Sequence, residues 1–512
     1  MPTISVEQNL LKQIMEKHGL VHDIEVLSNR LPLLGTDIDS CTESLLDIEI
    51  FPNRPDLLSG ETLARAIRNF IHDQEANPKM EVTKGDISLT VSPELKHIRP
   101  IILGAVVRGV SLAGEDEIDS FIKSLMDHQE KLHFALGRGR KRASIGVHDL
   151  NNIKPPFHVK AVPGDTEFIP LAMSEPMTIN QILEKHPKGI DYAHLLEGFE
   201  LFPVIVDSND AILSFPPIIN GSHTTVTSQT RDFFIDVTGW DLRSCESSLM
   251  LIASQLSERG GTIESVEVTD HDGNVANYPN GNAVLHKLPS DLLDGLLGRK
   301  LTDDEISVAI NRMGGKFKSR DVSEITLEMP RWRFDILHPV DLVEEIAIGH
   351  GYEDLGSDVP KAPMTAIARS DGNLRRRIRD SMQGLGLMQI QSLTLSNDDD
   401  QFNLVRWENV GEVTRITNPI TIDHTLLRQY LLPGLLRLLS SNRHHDLPQS
   451  VYEIGTVVRD HQNSNRLAFL TAERSGGFAA VRGRIQAFLR DIGAEEYQIL
   501  PLPDNEGPWL AG

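Results

Sequence analysis

The 512-residue chain is 40% hydrophobic and 24% charged and carries a formal net charge of −23. That describes a soluble globular protein long enough for several domains, and its acidity excludes one that coats itself with nucleic acid: RNA contact needs local basic patches or a more basic partner. Its two cysteines, Cys41 and Cys245, form no CxxC pair, which excludes a disulfide framework or a cysteine zinc site, and no apolar run reaches membrane-spanning length.

Residues 1–85 read as a small α/β unit. Leu10, Leu11 and Ile14 mark an amphipathic helix, a Gly/Asp-rich turn over 35–39 precedes a strand over 45–50, and the turn FPNRPD leads into a helix over 60–72. From 86 to 265 the pattern changes to apolar strands over 87–91, 101–107, 143–147 and 201–205, with a helix over 118–133. The basic run 138–142 (RGRKR) reads first as a solvated loop and second as a phosphate contact. Pro216 and Pro217, then Asn220 and Gly221, predict a stiff bend and turn. A strand over 233–238 and a helix over 242–259, closed by Gly260 and Gly261, complete the region. Residues 266–360 hold a helix over 303–313 capped at Thr302. Residues 361–512 predict a basic helix around Leu374, a strand over 388–395, a helix carrying Leu426, Leu427, Leu431, Leu432, Leu435 and Leu436, and a strand over 451–458.

The stretch 330–352 (PRWRFDILHPVDLVEEIAIGHGY) stands out. On a 3.6-residue period Asp341, Glu344 and Glu345 share one helical face, and Asp335 points a fourth carboxylate toward it. Two readings compete: acids favoured by the helix dipole, or a hard cation with oxygen ligands, Mg²⁺ above all. An internal repeat bears on the choice. Arg54-Pro55-Asp56, continuing to Leu63 and Ile67, aligns without gaps on Arg333-Phe334-Asp335, continuing to Leu342 and Ile346. Where the later copy has Asp341, Glu344 and Glu345, the earlier has Thr62, Arg65 and Ala66. The unit therefore folds without the acids, which look like a site added to a scaffold. No P-loop, HExxH, GxSxG or GxGxxG motif occurs.

Four segments together resemble the β-subunit family of phenylalanyl-tRNA synthetases, in its shorter archaeal and eukaryotic-cytosolic form. They are 47–67 (DIEIFPNRPDLLSGETLARAI), 214–239 (SFPPIINGSHTTVTSQTRDFFIDVTG), 330–352, and 418–442 with YEIG after it. The resemblance implies an α+β multidomain chain. Its parts are an N-terminal B1-like unit (1–85), a mixed α/β B3/B4-like editing domain (86–265), a B5-like unit (266–360) repeating the first, and a non-catalytic class II synthetase-like antiparallel sheet module (361–512). It further implies an α₂β₂ cytoplasmic ligase that attaches phenylalanine to tRNA(Phe) through an ATP-derived adenylate. The α subunit would hold the synthetic site and take ATP and phenylalanine.

On this resemblance Asp335, Asp341, Glu344 and Glu345 map onto a Mg²⁺ motif at the α-subunit interface. Ser214, Asn220, Asp236 and Thr238 are the candidates for a pocket that hydrolyses mischarged tyrosyl-tRNA(Phe). Discrimination against an added hydroxyl by a hydrophobic pocket reaches only about 10², so a second, hydrolytic site has a purpose. Family members continue beyond Trp509-Leu510-Ala511-Gly512, where this chain ends, so the resemblance implies either a truncated chain or an unusual protein. Two other functions stay open: a free-standing hydrolase of misacylated tRNA, and a non-enzymatic assembly scaffold.

Overall fold

A computed structural model of the chain describes residues 2–111, 115–356 (without the side chains of 115–119), 366–367, 369, 371–494, 496–500 and 507–509. The end of the chain at 510–512 lies outside the described residues. Two compact units result, Met1–Val359 and Pro360–Gly512.

The first unit opens with β1 (Thr3–Glu7), α1 (Gln8–Lys17), α2 (Ile24–Arg30), β2 (Thr36–Cys41), β3 (Leu45–Ile50) and α3 (Gly60–Phe70). The central strand β3 pairs antiparallel with β1 and β2. The predicted turn over 35–39 is shorter than expected. Gly35 alone takes the left-handed conformation, at φ +94°, and Thr36 already pairs with Ile50. The aspartates misled because β2 is an edge strand whose polar side chains face water.

The chain then builds a ten-stranded sheet. Its elements are β4 (Val82–Val91), β5 (Ile101–Arg108), α4 (Glu115–Ala135), β6 (Ala143–Asp149), β7 (Phe157–Pro163), and the small hairpin β8 (Glu167–Phe168) and β9 (Met177–Thr178), which pairs apart. They continue as α5 (Ile179–Lys185), α6 (Pro187–Tyr192), β10 (Leu201–Val206), β11 (Ile212–Phe215), β12 (Ile219–Asn220), β13 (Phe233–Gly239), α7 (Leu242–Glu258), β14 (Thr262–Thr269) and β15 (Val275–Tyr278). Strand order is β12-β11-β10-β7-β4-β14-β5-β13-β6, with β15 on β14. The pairs β4–β7 and β4–β14 are parallel, so the sheet is mixed. Every residue of β13 is buried. Its alternation sends Phe233, Ile235 and Val237 into the core shared with α4 and α7, and turns Phe234, Asp236 and Thr238 to the other face.

The unit closes with β16 (Val284–Pro289), α8 (Ser290–Leu297), α9 (Asp303–Arg312), β17 (Lys316–Arg320), β18 (Glu324–Met329) and α10 (Pro339–His350). Thr302 and Glu305 form a capping box on α9. The order β-α-α-β-β-α and the central third strand repeat the first six elements. Aligned as in the sequence, β18 falls on β3 end for end, and α10 begins where α3 begins.

The second unit holds α11 (Gly372–Gly384), β19 (Met388–Gln389), β20 (Leu395–Ser396), β21 (Leu426–Leu427), α12 (Leu432–Ser441), β22 (Gln449–Arg459), β23 (Gln462–Ala472) and α13 (Phe478–Ile492). The long β22–β23 pair is antiparallel, and β19 joins β22 in parallel. The expected strand over 388–395 breaks into two, and the leucine-rich helix starts later than its periodicity suggests. Leu426 and Leu427 pair with β20 instead, and Pro433 sits in the first turn of α12, where its missing N–H is harmless.

Candidate functional site

A cavity of 310 Å³ opens on the β13 face of the ten-stranded sheet. Its wall includes Ser214, Asn220 and Asp236, which come from β11, β12 and β13. Ser214 and Asn220 are register partners, and the Ser214 hydroxyl donates to Asn220 Oδ1 at 3.2 Å. Asn220 Nδ2 reaches the Val147 carbonyl of β6 at 3.4 Å, tying the edge hairpin to the sheet. The bend before β12 is held by Arg140, whose Nη1 donates to the carbonyls of Pro217 and Ile218 at 3.1 and 2.9 Å. Arg140 Nη2 in turn meets Glu130 of α4 at 2.6 Å. The close approach of His133, 3.5 Å away, and the charge of Arg140 overcome the cost of burial and bring the Glu130 pKa down to about 2. Arg140 is therefore a buried strut of the cavity, whereas Arg138, Lys141 and Arg142 are exposed. The basic run is split between two roles.

Asp236 is 2% exposed. Its Oδ2 lies 2.7 Å from His148 Nε2, and His148 Nδ1 lies 2.8 Å from Thr224 Oγ1. A carboxylate only accepts, so a neutral His148 carries its proton on Nε2 and accepts at Nδ1. The single proton of Thr224 is then shared between that nitrogen and the Gly221 carbonyl at 3.0 Å. Gly146 lies opposite Asp236 in the β6–β13 register, and a Cβ there would collide with Asp236 Oδ2 and crowd His148 Nε2. Among the described residues Asp236 Oδ1 receives no hydrogen bond. Thr238, the fourth candidate, does not line the cavity. Its hydroxyl accepts from Arg99 Nε at 2.6 Å, and Arg99 Nη2 holds the Thr238 and Arg140 carbonyls. Burial lowers the Arg99 pKa to about 10. Sequence reasoning missed His148, Thr224 and Gly146. The signal was present in Ala143–Asp149, where Gly146 and His148 alternate onto one face of a strand.

The acid helix is α10. Its three carboxylates and Asp335 before it do not converge on one point, and among the described residues no group of three His, Cys, Asp or Glu side chains is arranged to hold a metal ion. Arg333 supplies the compensation that the sequence assigned to a cation. Its Nε and Nη2 donate to Asp335 at 2.9 and 2.6 Å, and its Nη1 donates to Glu345 Oε2 at 2.6 Å. Asp341 Oδ2 accepts from the backbone N–H groups of Leu337 and His338 at 2.7 and 2.6 Å, capping the helix start. Glu344 is exposed. Partial burial, then the charges of Glu345, Asp341 and Asp335, raise its pKa. Among the described residues, the carboxylate oxygens of this group left without a partner are those of Glu344 and the second oxygen of Asp341. They fit a water-retaining hard cation bound through one or two carboxylates, and they do not fit a four-carboxylate cage. Glu344 and Glu345 line a second cavity, of 440 Å³, beside the exposed Leu33 and Tyr352.

The chain matches three families of domain: the phenylalanyl tRNA synthetase beta chain CLM domain over residues 355–510, the tRNA synthetase B5 domain over 286–352 and the B3/4 domain over 113–269. It is 39% identical over 507 residues to the phenylalanine--tRNA ligase beta subunit of Methanococcoides burtonii, covering 98% of this chain and 91% of that one. It is 38% identical over 473 residues to the beta subunit of Archaeoglobus fulgidus, covering 92% and 85%. A crystal structure of an N-terminal fragment of the phenylalanyl-tRNA synthetase beta subunit from Pyrococcus horikoshii superposes with a TM-score of 0.63 at 32% identity. That match covers 69% of this chain and all of the fragment.

Proposed function

The chain belongs to the beta-subunit family of phenylalanine--tRNA ligase, and from that premise we propose that its own chemistry is hydrolysis of tyrosyl-tRNA(Phe) at the cavity containing Asp236. The α subunit makes the aminoacyl bond in the cytosol from ATP, phenylalanine and tRNA(Phe), and this chain removes the wrong product.

The observation that carries this reading is a buried carboxylate in the wall of a cavity of side-chain size, with one oxygen tied to His148 and the other accepting no hydrogen bond among the described residues. A tyrosyl hydroxyl donates to Asp236 Oδ1, whereas a phenylalanyl ring leaves that oxygen dry and unpaired, which costs about 1–3 kcal/mol or more. His148 and Thr224 keep the carboxylate oriented as an acceptor. Thr238, anchored by Arg99, fixes the end of β13 and acts by positioning. At the ester, Ser214 and Asn220 hold the attacking water. Its oxygen bonds to the carbonyl carbon, the bond from that carbon to the ribose oxygen breaks, and the ribose hydroxyl regains a proton. The test is deacylation by the assembled ligase: Asp236→Ala abolishes release of tyrosine while charging with phenylalanine continues.

The acid helix supports a second, compatible role. The α subunit docks beside α10, and Glu344 and Asp341 would hold Mg²⁺ there. The ion would supply charge neutralisation at that contact. Neither competing function accounts for both sites: a free-standing hydrolase needs no docking face at α10, and a scaffold needs no buried carboxylate in a cavity. Loss of α binding in a Glu344→Gln variant tests it.

A further inference from the structure

A cleft of 690 Å³ in the first unit lies away from the Asp236 cavity and adjoins the cavity beside α10, with which it shares Leu34, Arg54 and Arg312. Eight lysines and arginines and four carboxylates line it, in a chain whose net charge is −23. Most of its arginines have a carboxylate partner. Arg68 is bidentate with Glu258 at 2.8 and 3.0 Å, Arg312 pairs with Asp73 at 2.5 Å, and Arg54 is bidentate with Asp56 at 2.9 Å.

Arg65 differs. It leaves α3, lies over the Trp332 ring at 4.4 Å from the centroid, and donates Nη1 to the Ser254 hydroxyl. Among the described residues no carboxylate pairs with it. Burial draws its pKa below the ordinary arginine value although Glu258 and Asp56 oppose the shift. A second group is also short of a partner. Arg54 is 4% exposed and lines the cleft, and among the described residues its Nη1 has no hydrogen-bond partner.

The repeat gives these facts a pattern. Arg65 on α3 stands where Glu344 stands on α10, and Thr62 stands where Asp341 does. The same two scaffold positions carry a cation in one copy and acids in the other. We propose that the first copy holds an anion site, in which Arg65 and Arg54 Nη1, with Thr62 and Ser254 beside them, bind the phosphate groups of a small diphosphate. The guanidinium fork matches phosphate oxygens in pairs, and the stacked Trp332 holds it in place. A small ligand is favoured over an RNA strand because the neighbouring arginines are already neutralised, and an RNA backbone needs a track of free cations.

Calorimetric titration of the assembled ligase with inorganic pyrophosphate tests this, using wild type, Arg65→Gln and Arg65→Lys. Binding at the α subunit's synthetic site is common to all three proteins; the expected result is a further saturable site that weakens at least tenfold in Arg65→Gln and partly returns in Arg65→Lys. Circular dichroism shows whether each variant is folded, and Ser254→Ala, which leaves the cation in place, provides a second variant with a smaller loss. Absence of this further site in wild type overturns the proposal, as does equal affinity at it in Arg65→Gln. Weakening of tRNA binding by Arg65→Gln with no pyrophosphate binding assigns the cleft to RNA and overturns it too.

Discussion

Arg333 and Glu345 meet at 2.6 Å, both 5% exposed or less, and this contact fixes the middle of α10 to the loop before the helix. The first copy has the matching Arg54–Asp56 pair and no counterpart of Glu345. The second copy therefore carries an extra buried charge on the same frame, balanced by one guanidinium that serves two carboxylates.

Arg333→Met tests that balance. It leaves Asp335 and Glu345 buried without a cation, and breaking a buried pair costs about 3–5 kcal/mol. Denaturant titration of the chain should show a loss of that size, with Glu344→Gln, at an exposed position, within about 0.5 kcal/mol of wild type. Equal effects would mean that the two glutamates share one environment.

Glu344 also decides the metal question without unfolding the chain. Glu344→Gln combined with Asp341→Asn should reduce retained Mg²⁺ and loosen the α-subunit complex, at about 1 kcal/mol of helix-capping stability. Chelation should mimic the double variant. A complex indifferent to both would leave the ion without a role at this contact.

Acid sensitivity should come from His128. Burial lowers its pKa from the ordinary 6.5 to about 4, and Nε2 has no partner. The folded state therefore holds the ring neutral. Its contribution is complete above pH 6.5 and drains away as pH falls toward 4. Asp56 acts lower: burial opposes its charge, Arg54 overcomes that, and its pKa drops from 3.8 to about 2, so its contribution survives until that range. Urea midpoints at pH 7 and pH 4.5 should differ more in wild type than in His128→Leu. Parallel losses would assign the slope elsewhere.

Gly146→Ala should disable the editing cavity through one methyl group. The added Cβ meets Asp236 Oδ2 and His148 Nε2, so the carboxylate must shift and its bond to His148 must break. Overpacking of this kind costs about 1–3 kcal/mol. Tyrosyl-tRNA deacylation should fall with phenylalanine charging intact, and a variant that still edits would show that the carboxylate can move freely.

Much of this was legible in the sequence because it is local. The repeat was readable from Arg-x-Asp and the apolar spacing after it, and the two sets of elements coincide. Ser214, Asn220 and Asp236 were recognisable as polar groups on a stiff bend and a strand. His148 was not, because its meaning depends on register: it reaches Asp236 only because β6 and β13 pair antiparallel, 88 positions apart. Arg333 was in view but was read as frame, since nothing local shows that a guanidinium two residues before Asp335 also reaches Glu345. Thr238 and Arg140 were each displaced from their expected roles by the long-range contacts that Arg99 and Glu130 make.

The most direct measurement is the rate at which the assembled ligase releases tyrosine and phenylalanine from tRNA(Phe), compared between wild type and Asp236→Ala. Wild type should hydrolyse the tyrosyl ester far faster than the phenylalanyl ester, and the variant should lose at least tenfold of the tyrosyl rate while charging normally. An unchanged tyrosyl rate in a folded Asp236→Ala enzyme would contradict the account.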